Sequence, residues 1–425
     1  MCGLSLKHVG CNVVIVEQDA DDRKSHMAGI GLAPSAVDFL RRHDRLESVF
    51  AHKIDCIKTI GKDNRLRILA TGRRDITSWD ALYYRLRSNF DGFPSTYYTS
   101  APQGAVTDGT ATYLSNTSVL DVSRTDPTNS RLTVAVRNSH TRDVFHMEAD
   151  LVIGADGPDS LIRAKYQPSV RRRYAGYVAW RGTVSERDLS KATWNALEDS
   201  IVNNMMNRHH IIVYTIPGKD GSLEPGERLI NFCWYTNETP QSLENIMKDK
   251  VDGHRHRSTV PAGRVQDSVW ASRLQHARNE PLPAAFLEIV TKIQNPFIQI
   301  ISDFPPSRGV FENGQVLLMG DALTLVRPHA GLSSAKSAYH SLAIEDYVCG
   351  KISIQEWEDR VLRYSYLYWA QGVWWGAFYQ ESMSTALIPA VKYWSYKAWY
   401  NLALWWKTRV VTADKGTPLG DEFTV

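Results

Sequence analysis

Gly320-Asp321-Ala322-Leu323-Thr324-Leu325-Val326-Arg327-Pro328-His329-Ala330-Gly331-Leu332 is the stretch on which the reading of this chain turns. The apolar run Gln315 to Met319 before it reads as a short buried strand, and Ser333 to Gly350 after it, free of Pro, reads as a helix. A strand, a carboxylate, a proline-bearing loop and a helix start form a sound cradle for a flavin. Asp321 can accept hydrogen bonds from ribitol hydroxyls, and Pro328 offers a rigid apolar wall. The N–H groups of Gly331 and Leu332 lie where the helix begins, and a helix N-terminus favours negative charge. A reduced flavin carries such a charge on its pyrimidine ring. Gly-Asp alone carries no weight; the Pro and Gly at these offsets give it some.

A second motif has the same build. Asp150-Leu151-Val152-Ile153-Gly154-Ala155-Asp156-Gly157-Pro158-Asp159-Ser160-Leu161-Ile162-Arg163 runs from an apolar strand into a glycine turn, where the backbone can bend tightly and approach a ligand. Together the two motifs resemble those of the FAD-dependent aromatic hydroxylases, the class A flavoprotein monooxygenases typified by para-hydroxybenzoate hydroxylase. Tyr177 to Gly182, Asn231 to Tyr235, Asp252 to His256 and Val326 to His329 are similar to the 2,6-dihydroxypyridine 3-hydroxylase branch. The resemblance spans roughly residues 1–380 and implies an α/β + β fold. A Rossmann-like FAD-binding domain would carry a sheet-rich substrate domain and C-terminal helices.

The resemblance also assigns cofactor contacts. Gly3 matches the last glycine of the dinucleotide fingerprint, and Glu17, ending the strand Asn12 to Val16, matches the carboxylate that holds the adenosine ribose. Arg87 matches an arginine that touches FAD near the end of a helix; a surface arginine is the alternative. Gly29, Asp156, Gly157, Asp321, Pro328, Gly331 and Leu332 complete the cofactor set. The family's first strand and Gly-x-Gly-x-x-Gly turn have no counterpart before Gly3. That strand would lie mid-sheet, so its neighbours are expected to show unpaired edges. An incomplete version of a longer protein is the preferred reading, ahead of weak FAD binding or a re-paired sheet.

Four segments follow: a first part of the FAD domain over 1–165, the substrate domain over 166–300, a second part of the FAD domain over 301–355, and a Trp-rich helical region over 356–425. Pro34 suits the start of a helix reaching His43, after a loop through Gly29 and Gly31. A 3.6-residue period returns over Ser78 to Arg87, and alternation over 111–153 predicts an antiparallel meander.

By resemblance, NADH or NADPH reduces the flavin, and a flavin hydroperoxide then hydroxylates a small aromatic or N-heteroaromatic compound. Such a site must exclude water, hold the substrate and help remove a proton. His209 and His210 open the alternating run Ile211 to Thr215, so only one of them can face the pocket; Tyr214, four residues on, shares the side of His210. His210 and Tyr214 are therefore the catalytic candidates, with Arg181 available for an acidic substrate group; a satisfied histidine at a strand edge is the plainer alternative. A degenerate FAD-fold protein without redox turnover competes with the enzyme reading. Epoxidation, decarboxylative hydroxylation and Baeyer–Villiger oxidation in secondary metabolism are the other chemistries open to the scaffold.

Composition sets the outer bounds. Across 425 residues, 43% are hydrophobic, 22% are charged and the net charge is +3, which suits a globular protein and gives no case for nucleic acid. Five scattered cysteines argue against a disulfide framework and a zinc site, and for a reducing cytoplasm. No metal is expected; His254 and His256 read as a loop that shapes the site. There is no Gly-x-Ser-x-Gly elbow and no phosphate-binding Gly-Lys-Ser/Thr loop. Eight of the 13 tryptophans fall between Trp357 and Trp406. Helices packing on the substrate domain or on a second subunit, as in a homodimer, are the preferred reading there. An interfacial membrane anchor is the alternative.

Overall fold

The computed structural model describes every residue except Arg23, Lys24, His26, residues 125–129, Asn207 and residues 413–425, with backbone only at 407–412. The chain opens with α1 (Cys2–His8), β1 (Val13–Val16), β2 (Gly29–Leu32), α2 (Pro34–His43), β3 (His52–Ile60) and β4 (Leu66–Ser78). Then come α3 (Trp79–Asp91), β5 (Ala111–Leu114), β6 (Thr117–Ser123), β7 (Leu132–Asn138), β8 (Val144–Ala149), β9 (Val152–Gly154) and α4 (Leu161–Tyr166). The middle holds β10 (Arg173–Ser185), α5 (Lys191–Leu197), β11 (Ser200–Met206), β12 (His209–Ile216), β13 (Leu229–Asn237), α6 (Pro240–Ile246) and β14 (Thr259–Val260). It continues through α7 (Asp267–Asn279), α8 (Ala284–Lys292), β15 (Phe297–Asp303), β16 (Val310–Phe311) and β17 (Val316–Leu318). Four helices finish it: α9 (Gly320–Leu323), α10 (Ser333–Val348), α11 (Ile354–Gln380) and α12 (Met383–Thr412).

Local signals explain the helix starts. Pro34 stands in the first turn of α2, where its missing N–H costs nothing. The Ser78 hydroxyl caps α3 by accepting from the Ala81 N–H, and Gly92, at φ 70°, ends it in the left-handed conformation.

Four sheets result. A nine-stranded sheet runs β14-β15-β10-β13-β12-β11-β3-β4-β2, and β6-β7-β8 form the expected meander. The FAD-type layer is split in two: β1 pairs in parallel with β5, while β9 pairs in parallel with β17, which carries β16 on its other side. Among the described residues neither β1 nor β9 has a second strand partner, so both present the expected open edges and the sheet does not re-pair across them.

Two expectations change here. The segment around Gly29 and Gly31 is strand β2, antiparallel to β4, and not a loop. Strands β2, β3 and β4, read within the 1–165 segment, belong to the same sheet as β10 to β15, because β3 pairs in parallel with β11.

Alternation along β10, β12 and β13 divides the large sheet into two faces. Val178, Trp180, Ile211, Val213, Phe232 and Trp234 point into the main core, roofed by residues such as Val269 of α7 and Phe286 and Ile289 of α8. The registers His210↔Tyr235, Ala179↔Tyr235, Arg181↔Cys233 and Tyr214↔Asn231 put the polar and aromatic residues on the opposite face. That face turns toward the 326–332 loop and α11.

Candidate active site

The two glycine-aspartate turns stand side by side because β9 and β17 pair in parallel, and the Met319 N–H donates to the Gly154 carbonyl at 3.0 Å. Arg163, buried, ties them together: its guanidinium donates to the Pro158 carbonyl and, at 2.8 Å, to the Ala322 carbonyl, and it lies over the Phe304 ring.

Asp321 Oδ1 accepts from the Ser333 hydroxyl at 3.0 Å and from Lys336 Nζ at 2.8 Å. Lys336 is fully buried and also donates to the Thr324 carbonyl, so the carboxylate compensates a charge held out of water. Oδ2 of Asp321 makes no hydrogen bond among the described residues. Pro328 opens a short 3-10 turn that ends at Gly331, φ 64°, where a Cβ would meet nothing within 4 Å. The Gly331 N–H is not available to a ligand as expected: it donates to the Pro328 carbonyl at 3.0 Å. Leu332 is the N-cap of α10, and no side chain caps that helix, so the Leu332 and Ser333 amides are unpaired among the described residues.

The remaining cofactor candidates take up various partners. Asp156 Oδ2 accepts from the Leu161 and Ile162 amides at 2.7 and 3.3 Å and so helps start α4. Gly157, φ 75°, has open space around it. Gly3 packs its helix against β1, since a Cβ there would stand 2.9 Å from the Ile15 Cδ1. Glu17 follows β1 directly and accepts the Asp19 N–H at 3.0 Å. Arg87 departs from the surface alternative given to it. It is buried, not on the surface, and donates to Asp91, Asp21 and the Tyr83 hydroxyl while lying over the Tyr113 ring. Those bonds occupy most of its guanidinium donors.

Opposite the loop, His210 stacks between Tyr379 of α11 at 3.9 Å and Tyr235 at 5.6 Å, and its Nε2 meets Asn203 Oδ1 at 2.9 Å. It stands in an interior strand of the sheet, not at an edge. Burial holds its pKa down to about 3, so at neutral pH it is an uncharged acceptor and a poor proton-abstracting base. Tyr214 and Arg181 share its face, as the alternation requires. Burial pushes the Tyr214 hydroxyl up to about 12. Arg181 donates to Gln299 Oε1 at 3.2 Å and lies 5.2 Å from the Phe297 ring centroid.

His329 completes the cluster and was missed by sequence reasoning, which used the Val326 to His329 phrase only for its likeness to other chains. Its Nε2 and the Tyr177 hydroxyl are 2.7 Å apart, and its ring lies 4.5 Å from Tyr235 and 5.9 Å from His210. Burial, then His210 and Arg327, keep its pKa far below the usual histidine range. The Nδ1 atoms of His210 and His329 and the Nε of Arg181 are all buried without a protein partner. Buried polar atoms are seldom left so, and three between the sheet face and the loop point to a ligand that pairs with them.

Arg327 and α11 hold His329 in place. Asp303, at the end of β15, accepts from Arg327 Nε at 2.7 Å and from Trp369 Nε1 at 3.0 Å. Gly372 and Gly376 let the loop lie directly on α11: a Cβ on Gly376 would stand 2.6 Å from the Tyr177 Oη and 2.7 Å from Arg327 Nη1. Gly29 has a comparable role. A Cβ there would fall 2.4 Å from the Tyr214 ring, and its N–H donates to Asn231 Oδ1 at 3.2 Å. Two residues on, the Gly31 carbonyl accepts from Ser334 of α10, so β2 links the helix start to the large sheet.

His209 faces away, toward Trp234 and His276. There His209, His276 and Glu280 bring ligand atoms within 4.8 Å of one another, a grouping the sequence reading did not anticipate. His256, by contrast, is pinned to the buried Asp249 at 2.8 Å, alongside Arg264.

Known proteins share this architecture. The family described as FAD binding domain-like matches residues 174–303. The 2,6-dihydroxypyridine 3-monooxygenase of Paenarthrobacter nicotinovorans is 27% identical over 376 residues, covering 86% of this chain and 85% of that protein. This likeness agrees with the resemblance to the FAD-dependent aromatic hydroxylases. The 2,6-dihydroxypyridine-3-hydroxylase structure from Arthrobacter nicotinovorans superposes with a TM-score of 0.75, at 24% identity and 90% coverage of both chains. HpxO of Klebsiella pneumoniae, solved with FAD and uric acid, gives 0.63 at 15% identity, over 93% of this chain and 89% of its own. In this hydroxylase fold the large sheet and the proline loop enclose the polar cluster built above.

Proposed function

We propose that this protein is an FAD-dependent monooxygenase that uses NAD(P)H and dioxygen to hydroxylate a small aromatic or N-heteroaromatic compound. The observation that carries the reading is the set of unpartnered buried atoms, His210 Nδ1 and Arg181 Nε on the sheet face and His329 Nδ1 on the Asp321–Leu332 loop that it meets.

The residues around that loop fit the ring end of the cofactor. Asp321 Oδ2 would take a ribityl hydroxyl, Pro328 would wall the ring, and the uncapped Leu332 and Ser333 amides would meet its negatively charged edge. Asp156, Gly157 and Glu17 are the residues proposed for the remainder, with Gly3 and Gly29 acting through packing. Bound there, FAD supplies reduction by NAD(P)H and activation of dioxygen.

The chain's own side chains do the rest. Two neutral imidazoles pair through Nδ1 with the polar groups of a heteroaromatic ring and orient it. Arg181 favours an anionic form of that ring, which is the better nucleophile, and the un-ionised Tyr214 hydroxyl is a donor on the same face. Tyr177, Tyr235 and Tyr379 pack around the imidazoles and exclude water. Its five free cysteines suit a reducing, cytoplasmic setting, and among the described residues no helix is long and apolar enough to cross a membrane.

Purification tests the proposal. A yellow protein that oxidises NAD(P)H faster on addition of a hydroxypyridine or phenol, with a hydroxylated product by mass spectrometry, supports it. A colourless protein with no affinity for added FAD overturns it.

A further inference from the structure

The last helix has two apolar sides. Ala386, Tyr393 and Tyr400 bury one of them against α11, where Tyr393 stacks on Trp374 at 5.3 Å. The other side is open. Leu387, Val391, Trp394, Trp399, Leu402 and Trp406, spaced three, four or five residues apart, are all 46% exposed or more. At 3.6 residues per turn they form one continuous stripe running most of the length of α12. An apolar stripe of this length is unusual on a soluble surface and marks an interaction site.

Charge identifies what covers it. From Met383 to Thr412 the sequence carries Lys392, Lys397, Lys407 and Arg409 and no acidic residue. On the helical wheel Lys392 falls at one margin of the stripe and Lys397 between its other margin and the buried side. The Lys397 ammonium lies over the Trp394 ring, 4.9 Å from its centroid, and 5.8 Å from that of Tyr393. Tryptophans flanked by lysines on one side of a helix are the pattern of an interfacial membrane helix, whose rings sit at headgroup level and whose ammonium groups reach lipid phosphates. A second copy meeting stripe to stripe would instead oppose two basic helices with no acidic residue on either.

We infer that α12 lies on an anionic bilayer surface, its Leu387–Trp406 stripe entering the interface and Lys392 and Lys397 contacting the headgroups. The contact is peripheral, since no described helix can span. It brings α11, which carries Tyr379 into the polar cluster, close to the membrane.

Vesicle binding by the full chain tests this. Phosphatidylcholine vesicles containing about 30 mol % phosphatidylserine should sediment the protein and shift its tryptophan emission to shorter wavelength, more than phosphatidylcholine alone. A Trp394→Ser, Trp399→Ser, Trp406→Ser triple variant should lose at least about tenfold in partition. A Lys392→Glu, Lys397→Glu variant should lose the preference for phosphatidylserine. Both substitute positions outside the core, and thermal melts check that they fold. Brominated phosphatidylcholine mixed with phosphatidylserine should quench the unmodified protein, a readout that needs no variant. Absence of binding and quenching overturns the proposal, as does a dimer in sedimentation equilibrium that the triple variant dissociates.

Discussion

The Tyr177 Oη and the His329 Nε2 stand 2.7 Å apart, joining β10 of the large sheet to the loop proposed to hold the flavin. With Tyr177 buried and its hydroxyl pushed well above the usual tyrosine range by burial, the phenol keeps its proton and His329 stays neutral. The contact fixes the ring so that Nδ1 is the atom left to a ligand.

Tyr177→Phe therefore removes one hydrogen bond and strands a buried imidazole nitrogen. A stability loss of about 1–3 kcal/mol is expected. NAD(P)H-coupled hydroxylation should show KM raised more than kcat is lowered, because the substrate's partner is no longer held. Urea unfolding and steady-state kinetics check the two halves separately. An unchanged KM would show that His329 does not meet the substrate.

Asp321→Asn leaves the Lys336 ammonium buried without its carboxylate. Removing one partner of a buried pair costs about 3–5 kcal/mol, a figure to be reduced here because Asp321 is a third exposed. FAD content of the purified protein should fall together with the melting temperature. Lys336→Met in the same background replaces the stranded charge with an apolar chain and should recover melting temperature without recovering FAD.

Acid should unfold the protein through its buried histidines. Burial depresses the folded pKa of His210 to about 3 and holds His329 and His340 far below the usual range. His340 is locked neutral, its Nδ1 accepting the Gly320 N–H at 3.1 Å and its Nε2 meeting Ser365 Oγ at 2.9 Å. Between those values and about 6.5 the unfolded chain binds the extra protons, so stability rises with pH through that window. It is complete above about 6.5 and declines on acidification by up to about 1.4 kcal/mol per pH unit for each group. Denaturant midpoints from pH 5 to 8 measure it; a flat profile below pH 6.5 would refute the burial of these rings.

Much of this was legible from residue patterns, and the failures have physical causes. The apolar run before Gly320, Pro34 at a helix start and the 3.6-residue period from Ser78 are local signals, and the structure places those elements there. Alternation over Ile211 to Thr215 put His210 and Tyr214 on one face, because strand periodicity needs no tertiary information. The burial of Arg87 was not legible because its partner Asp21 lies 66 residues away, although Asp91, one turn on, was visible. His329 escaped notice because a proline loop draws attention to its backbone. Gly29 looked like a loop because two glycines in four residues carry no strand propensity; only a distant tyrosine ring explains them.

That distant ring gives a compensating pair. A methyl group at residue 29 would fall 2.4 Å from Tyr214 Cε2 and 2.7 Å from its hydroxyl, closer than any real contact, and the Gly29 amide is also bonded to Asn231. Gly29→Ala must therefore push the tyrosine ring aside or pull β2 away from the sheet, and overpacking of this kind costs about 1–3 kcal/mol. Because β2 also accepts the Ser334 hydroxyl of α10 at the Gly31 carbonyl, the displacement would reach the helix start proposed to meet the flavin. Tyr214→Ala alone should open a hole and destabilise the fold. If the clash is as described, the double variant should be more stable than the sum of the two single changes predicts, by at least about 1 kcal/mol. Additive losses in a double-mutant cycle would mean that the two residues do not touch.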